Sequence, residues 1–169
     1  MTTDQEVVGS NPTGCTLINM KVYTLTFKHM IDRDLKEVFN FFKNPENLSA
    51  ITPAKLKFTI LTPLPIEMKE GQLIDYTITL FGKRVYWRTM ITSYNQNESF
   101  IDQQLKGPYS MWYHKHTFKE IDDSVEMIDT VSYIVPFGIL GRIINYFYLR
   151  QELKYIFKYR RKVISTIFN

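Results

Sequence analysis

The sequence predicts an α+β fold in which a curved antiparallel sheet of six to seven strands wraps on one long C-terminal helix, with two short helices after the first strand. Three observations carry this. Apolar and polar residues alternate through a first segment, and again through five or six later segments in series. The links within that series are short, and short links require antiparallel neighbours. The last stretch of chain instead repeats its apolar residues every three or four positions, the period of a helix.

Lys21–Ile31 is the first strand, with Tyr23, Leu25 and Phe27 on one face and Thr24, Thr26 and Lys28 on the other. Asp32 is a candidate N-cap. Leu35, Val38, Phe39 and Phe42 then fall at helical spacing, which predicts an amphipathic helix over 33–43. Asn44-Pro45 ends it. A second short helix follows over Glu46–Ile51, stopped by Thr52-Pro53. The serial strands are Lys55–Thr62, Gln72–Phe81, Arg84–Tyr94, Ser99–Lys106, Met111–Lys119 and Ser124–Val135. Gly82-Lys83 carries the signal of a tight hairpin, and Glu120–Asp123 reads as a four-residue loop. Pro136-Phe137-Gly138 breaks the last strand. One helix over Leu140–Ile167 completes the chain, with a stripe of Leu149, Leu153, Ile156, Arg160, Val163 and Ile167. A single helix about 10 Å wide cannot fill the hollow of such a sheet. Large side chains or a cavity must take up the space. An empty apolar cavity costs roughly 24 cal/mol per Å3, so a void of ligand size calls for an occupant.

Composition bounds the function. The chain has 169 residues, 44% hydrophobic and 22% charged, which excludes global disorder. Aromatics reach 15%, enough to line an apolar space. The single cysteine, Cys15, cannot close an internal disulfide and excludes cysteine-rich metal sites. No apolar run approaches the ~18 residues of a membrane span, and the N-terminus is too acidic and polar for a signal peptide. A cytoplasmic location is expected. The net charge of +4 is local. From Gly138 onward, Arg142, Arg150, Lys154, Lys158, Arg160, Arg161 and Lys162 face one acid, Glu152, leaving a mildly acidic remainder. That distribution argues against a nucleic-acid partner and for one basic helix.

Residues 1–19 lack any apolar period and are read as a disordered tail before a ligand-binding domain at 20–169. Gly9-Ser10-Asn11-Pro12-Thr13 matches what the T-arm of a tRNA gene would encode if translated. The native start is therefore expected at Met20.

The element order resembles the helix-grip fold of the START / Bet v 1-like / polyketide cyclase superfamily, SRPBCC, over about residues 20–168. A sharper resemblance, to a bacterial subgroup mostly without assigned function, rests on several segments. These are Phe100-Ile101-Asp102-Gln103-Gln104, Gly107-Pro108-Tyr109, then Trp112, His114, His116 and Phe118. Asp129, Val131, Tyr133, Pro136-Phe137-Gly138, Leu140-Gly141 and Ile156-Phe157-Lys158-Tyr159-Arg160 continue it, and Thr52-Pro53 and Leu80-Phe81-Gly82 also fit. The resemblance implies a ligand pocket between sheet and C-terminal helix. Superfamily members bind lipids, sterols, hormones or polyketides, and a minority catalyse cyclisation, dehydration or hydrolysis. The fold does not choose among these.

The polar residues narrow the choice. Trp112, His114, His116 and Phe118 share one strand face by the period of two, and that face is expected inward. If Gly107 pairs with Met111, Gln104 faces His114 and Asp102 faces His116. The loop at Glu120–Asp123 would place Asp129 opposite His114 and Met127 opposite His116. A row of Asp102, Gln104, His114, His116 and Asp129 results. A carboxylate beside an imidazole suits proton transfer, so His114 and Asp129 are the catalytic candidates. The same row could orient a ligand or only satisfy buried polar groups.

Tyr76, Trp87 and Trp112 are candidate lining residues, Tyr109 a candidate gate, and Phe137 with Leu140 a candidate opposing lip. Gly138 and Gly141 would either let that hinge move or permit close packing. Arg160 interrupts the apolar stripe and could reach a ligand carboxylate or an internal acid. His29 is read as a surface residue on the face opposite Tyr23, Leu25 and Phe27. No metal or cofactor is expected. The expected function is binding or carriage of a small hydrophobic molecule, lipid, polyketide or isoprenoid-like. The alternatives are a cyclase or dehydratase using the His–Asp pair, and an interaction module whose basic helix meets an anionic membrane or a protein.

Overall fold

The computed structural model describes residues 20–168, so the expectations for residues 1–19, including Cys15 and the start at Met20, lie outside it. Its strands are β1 (Tyr23–Ile31), β2 (Thr59–Ile60), β3 (Leu73–Leu80), β4 (Lys83–Asn95), β5 (Ser99–Lys106), β6 (Met111–Ile121) and β7 (Ser124–Ile134). They form one antiparallel sheet in the order β1-β7-β6-β5-β4-β3-β2. The chain thus zigzags from β2 to β7 through hairpins, and β1 closes on the last strand. Two register shifts on β4, at Arg88/Thr89 and Ile91/Ser93, insert irregularities of the kind that bend a sheet.

Helix α1 (Leu35–Phe42) starts later than expected. Its cap is Asp34, whose Oδ1 accepts from the Lys36 and Glu37 amides, and not Asp32, which accepts a hydrogen bond from Ser124. The second helix is a 3-10 segment over Pro45–Ser49. Most of the expected strand Lys55–Thr62 is not one. Ala54–Leu56 makes a 3-10 turn, Lys57 takes a left-handed conformation (φ 44°), and two residues remain to pair with β3.

The C-terminal helical run has three parts: α2 (Gly138–Ile144), a π-helical turn (Asn145–Leu149) and α3 (Arg150–Ile167). The wide turn coincides with a buried polar anchor, because the Tyr133 hydroxyl donates to Asn145 Oδ1 at 2.9 Å. Gly141 packs directly on the Pro136 carbonyl, where a Cβ would collide with the oxygen, which favours the close-packing reading of this glycine. The stripe of α3 that faces the sheet is Leu153, Phe157, Arg160 and Ile164, rotated from the stripe the spacing suggested. No described helix is long and apolar enough to cross a membrane.

Two clusters fill the space between sheet and helices. One packs α1 and the end of α3 through Val38, Phe39, Phe42, Phe118, Met127, Ile164 and Phe168. The other joins Leu25, Trp87, Trp112, Val131, Tyr133, Leu153 and Phe157. The site lies between them.

Candidate functional site

A cavity of about 180 Å3 opens between the sheet and α3. Its walls are mainly apolar, with Ile74, Ile78, Trp87, Trp112, Leu153 and Phe157 among them, and Asp102, His114, His116 and Arg160 are its acidic and basic members. A neighbouring depression shares Leu56, Leu80, Tyr109, Leu153 and Ile156 with the cavity and carries Lys55, Phe81, Tyr148 and Glu152 at its outer rim. This is the mouth. An ion pair between Lys55 and Glu152 crosses it and ties the 3-10 turn at Ala54–Leu56 to α3.

Tyr76, Trp87, Asp102, Tyr109, Trp112, His114, His116 and Arg160 all line the cavity. Three expected members do not. Gln104 turns to the 107–110 loop, where its Nε2 donates to the Tyr109 carbonyl at 2.7 Å and its Oε1 accepts from the Tyr109 amide. A Cβ at Gly107 would collide with that amide group, so this clamp requires glycine. Phe137 and Leu140 form no lip. They stand 77% and 60% exposed at the start of α2, outside the lining. Phe137 enters the helix in the left-handed conformation, with φ 71°. His29 is also a correction: the period of two puts it with Leu25 and Phe27, and it is half-buried against α3. Burial and the Arg161 charge lower its pKa. The spacing-based reading missed Phe157, which stacks on Phe27 at 4.2 Å and meets His114 edge-on at 5.6 Å. Its place four residues after Leu153 was the available signal.

The strand registers differ from expectation by two residues on both sides of β6. The β6–β7 turn is the two-residue Asp122-Asp123, not a four-residue loop, so His116 pairs with Asp129 and His114 with Val131. On the other side His114 pairs with Asp102. A shift of two keeps every side chain on its face. The row therefore survives with changed partners.

Its geometry is a compact square. His114 Nε2 lies 2.9 Å from Asp129 Oδ1, and His116 Nε2 lies 3.1 Å from Asp102 Oδ2. The other ring nitrogens close the square, His114 Nδ1 at 3.2 Å from Asp102 and His116 Nδ1 at 2.8 Å from Asp129, the last too far off axis to be a hydrogen bond. The rings stand 3.8 Å apart, and Phe100 stacks on His116 at 4.2 Å. Asp102 faces the cavity, whereas Asp129 lies behind the imidazoles, on the side of an outer groove between β1 and α3.

Electrostatics follow from this packing. Burial opposes a charge on His114, but Asp102 and Asp129 outweigh it and push its pKa up to about 9. Burial likewise opposes ionisation of both carboxyls, yet the imidazoles hold Asp102 and Asp129 well below the usual carboxylate range. Burial raises the Tyr76 and Tyr109 phenols, which keeps them as neutral hydrogen-bond donors. Asp102, His114 and His116 each offer a ligand atom within 4.8 Å of the others, a donor set of the type that binds zinc. A protonated His114 satisfies the same contacts without an ion. Chemically the square can pass a proton from His114 to the cavity by way of Asp102, which lines it, or hold the polar end of a guest.

No family profile and no curated protein matches the chain. Solved structures do. An aromatase/cyclase (Zhui) from a Streptomyces species, strain R1128, superposes with a TM-score of 0.67 at 11% identity, covering 85% of this chain and 91% of that one. Major latex-like protein 151 from Panax ginseng gives 0.61 at 11% identity, over 87% of this chain and 97% of its own. A protein of Thermus thermophilus gives 0.65 at 12% identity, over 86% and 99%. Identities this low speak to the fold, and the sheet order, the short helices after β1 and the closing C-terminal helix agree with it. The chain has the α+β helix-grip fold that these structures share.

Proposed function

We propose that this protein binds or carries a small hydrophobic molecule, lipid, polyketide or isoprenoid-like, between the sheet and α3. The observation that carries the reading is the cavity itself, a mainly apolar chamber of about 180 Å3 whose lining includes Asp102, His114, His116 and Arg160. An apolar cavity of roughly 150 Å3 admits benzene, so this one accommodates a ring or a folded short chain, with more of the guest extending through the mouth. The guest's apolar body replaces a costly void, and Asp102, His114 and His116 fix its polar end. Native mass spectrometry of freshly purified protein tests this. A bound small molecule released on denaturation is expected, and protein that stays at apo mass after exposure to a lipid and polyketide extract would count against it.

A second reading has its own observation. Asp129 holds His114 Nε2 from behind, and His114 Nδ1 meets Asp102 on the cavity lining, so a guest that displaces Asp102 would meet an oriented proton donor. This supports a cyclase or dehydratase in which His114 protonates a leaving hydroxyl or a developing oxyanion. Glutamine at His114 would then abolish turnover while leaving binding nearly intact, whereas a purely orienting His114 would lose some affinity and have no turnover to lose.

The exposed face of α2 supports a third. Ile139, Leu140, Ile143, Tyr146 and Phe147 are all at least half exposed along α2 and the turn after it, with Arg142 and Arg150 beside them. Exposed apolar residues flanked by cations favour contact with an anionic lipid surface, from which a guest could enter. Salt-sensitive pelleting with phosphatidylglycerol vesicles, lost in a Tyr146→Ser/Phe147→Ser double variant, is the expected result.

A further inference from the structure

Arg160 is the one basic residue of α3 on the stripe that faces the sheet. Its helix neighbours Lys154, Lys158, Arg161 and Lys162 are exposed, as cations on a helix ordinarily are. Arg160 is 8% exposed. Among the described residues no carboxylate lies within 4.0 Å of its guanidinium, and its buried Nε has no hydrogen-bond partner. The guanidinium carbon sits 4.9 Å from the centre of the Phe157 ring. That contact offsets some of the desolvation but satisfies none of the five N–H donors. The carboxylates that share the cavity or the outer groove with it include Asp102 and Asp129, and these have their close contacts on the imidazoles. A buried cation left in this state is expensive, and a ligand that neutralises it gains accordingly.

We propose that Arg160 recognises an anionic head group, so that the guest of the cavity is a small acidic amphiphile, with a monocarboxylate as the simplest member of the class. The inference rests on the ligand-binding reading of the cavity. Arg160 lines that cavity together with Tyr76, whose ionisation its charge eases. A guanidinium fork matches a carboxylate with two parallel hydrogen bonds, and the Tyr76 phenol on β3 is a further donor lining the cavity. The apolar walls then take the rest of the molecule. A neutral alcohol of the same shape fills the walls equally but leaves the fork unpaired, and an amine repels it. Arg160 also borders the outer groove beside Asp129, Lys158 and Arg161, so an anion could approach from that side. Trp87 and Trp112 line the cavity and not the groove, which lets fluorescence distinguish the two.

The test uses 4-phenylbutanoate, 4-phenylbutan-1-ol and 4-phenylbutylamine, one apolar body with three heads, titrated by calorimetry and by tryptophan emission. The acid is expected to bind about tenfold tighter than the alcohol and to shift the emission, with the amine weakest. Arg160→Gln should bring the acid down to the alcohol's affinity and leave the alcohol within about threefold of wild type, and Arg160→Lys should keep part of the preference. Because no internal ion pair is broken, the melting temperature of Arg160→Gln should be unchanged or raised. Equal binding of acid and alcohol to the wild type would overturn the proposal, as would acid binding that leaves the tryptophans silent. A melting temperature lowered by several degrees, or a variant that does not fold, would assign Arg160 to neutralising the His–Asp square instead. If none of the three compounds moves the emission or gives heat, the ligand-binding reading of the cavity fails first and this inference with it.

Discussion

His114→Gln should remove the alkaline limb of the protein's stability curve. In the folded chain the two carboxylates push the His114 pKa from its ordinary 6.5 up to about 9. A group whose pKa is raised on folding stabilises fully below its unfolded value and loses that contribution as pH climbs through the folded value. The window is therefore 6.5 to 9. At about 1.4 kcal/mol per pH unit, the gap corresponds to about 3 kcal/mol lost between pH ~6 and pH ~9.5. For a domain of this size that lowers the melting temperature by roughly 6–12 °C. Thermal melts at constant ionic strength across this range measure it directly. The glutamine variant should start lower at pH ~6, because Asp102 and Asp129 lose a cation, and then stay nearly flat. The two carboxyls, held low in the folded state, add the opposite limb: their contribution is present above pH ~4 and is lost on acidification. A wild-type melting temperature equal at pH ~6 and pH ~9.5, or a variant that falls as steeply as the wild type, would refute the protonated square.

Other substitutions probe the frame around the site. Gly107→Ala should destabilise by about 1–3 kcal/mol in urea unfolding, since the new methyl collides with the Gln104 clamp; a neutral result would mean the clamp is dispensable. Asp34→Ala should cost about 1 kcal/mol through the lost α1 cap, whereas Asp32→Ala should not act through that cap, and the reverse ranking would contradict the assignment. Tyr133→Phe leaves buried Asn145 without its donor and should cost about 1–3 kcal/mol, with the π-helical turn as the first segment to exchange its amides. Equimolar zinc at pH ~6 should leave the melting temperature unchanged, because binding at Asp102, His114 and His116 would have to displace the His114 proton; a rise of several degrees would make the square a metal centre.

The fold was legible because each element carries its own local signature. Alternation in β3, β4, β6 and β7, the Pro-Phe-Gly break and the cationic amphipathic helix are all properties of short windows of chain. The misreadings have local causes as well. Lys55–Thr62 alternates well enough to resemble a strand, but Pro53 and left-handed Lys57 curl it into a 3-10 turn. Asp32 and Asp34 both look like caps, and the winner depends on which side chain reaches two free amides. On α3, Leu153 and Arg160 belong to either of two adjacent stripes, and contact with the sheet selects the one that includes Phe157 and Ile164.

Parity along a strand needs no partner, so the common face of Trp112, His114, His116 and Phe118 followed from the order of residues alone, as did the basic excess after Gly138. Which carboxylate meets which imidazole did not. It turns on a two-residue loop at Asp122-Asp123 in place of four, and that choice moves a whole strand by two positions without changing any local pattern. The cavity and the unpaired guanidinium within it belong to the same category. Both are differences between what a bent sheet encloses and what one helix can fill, and that balance exists only once distant segments are packed together.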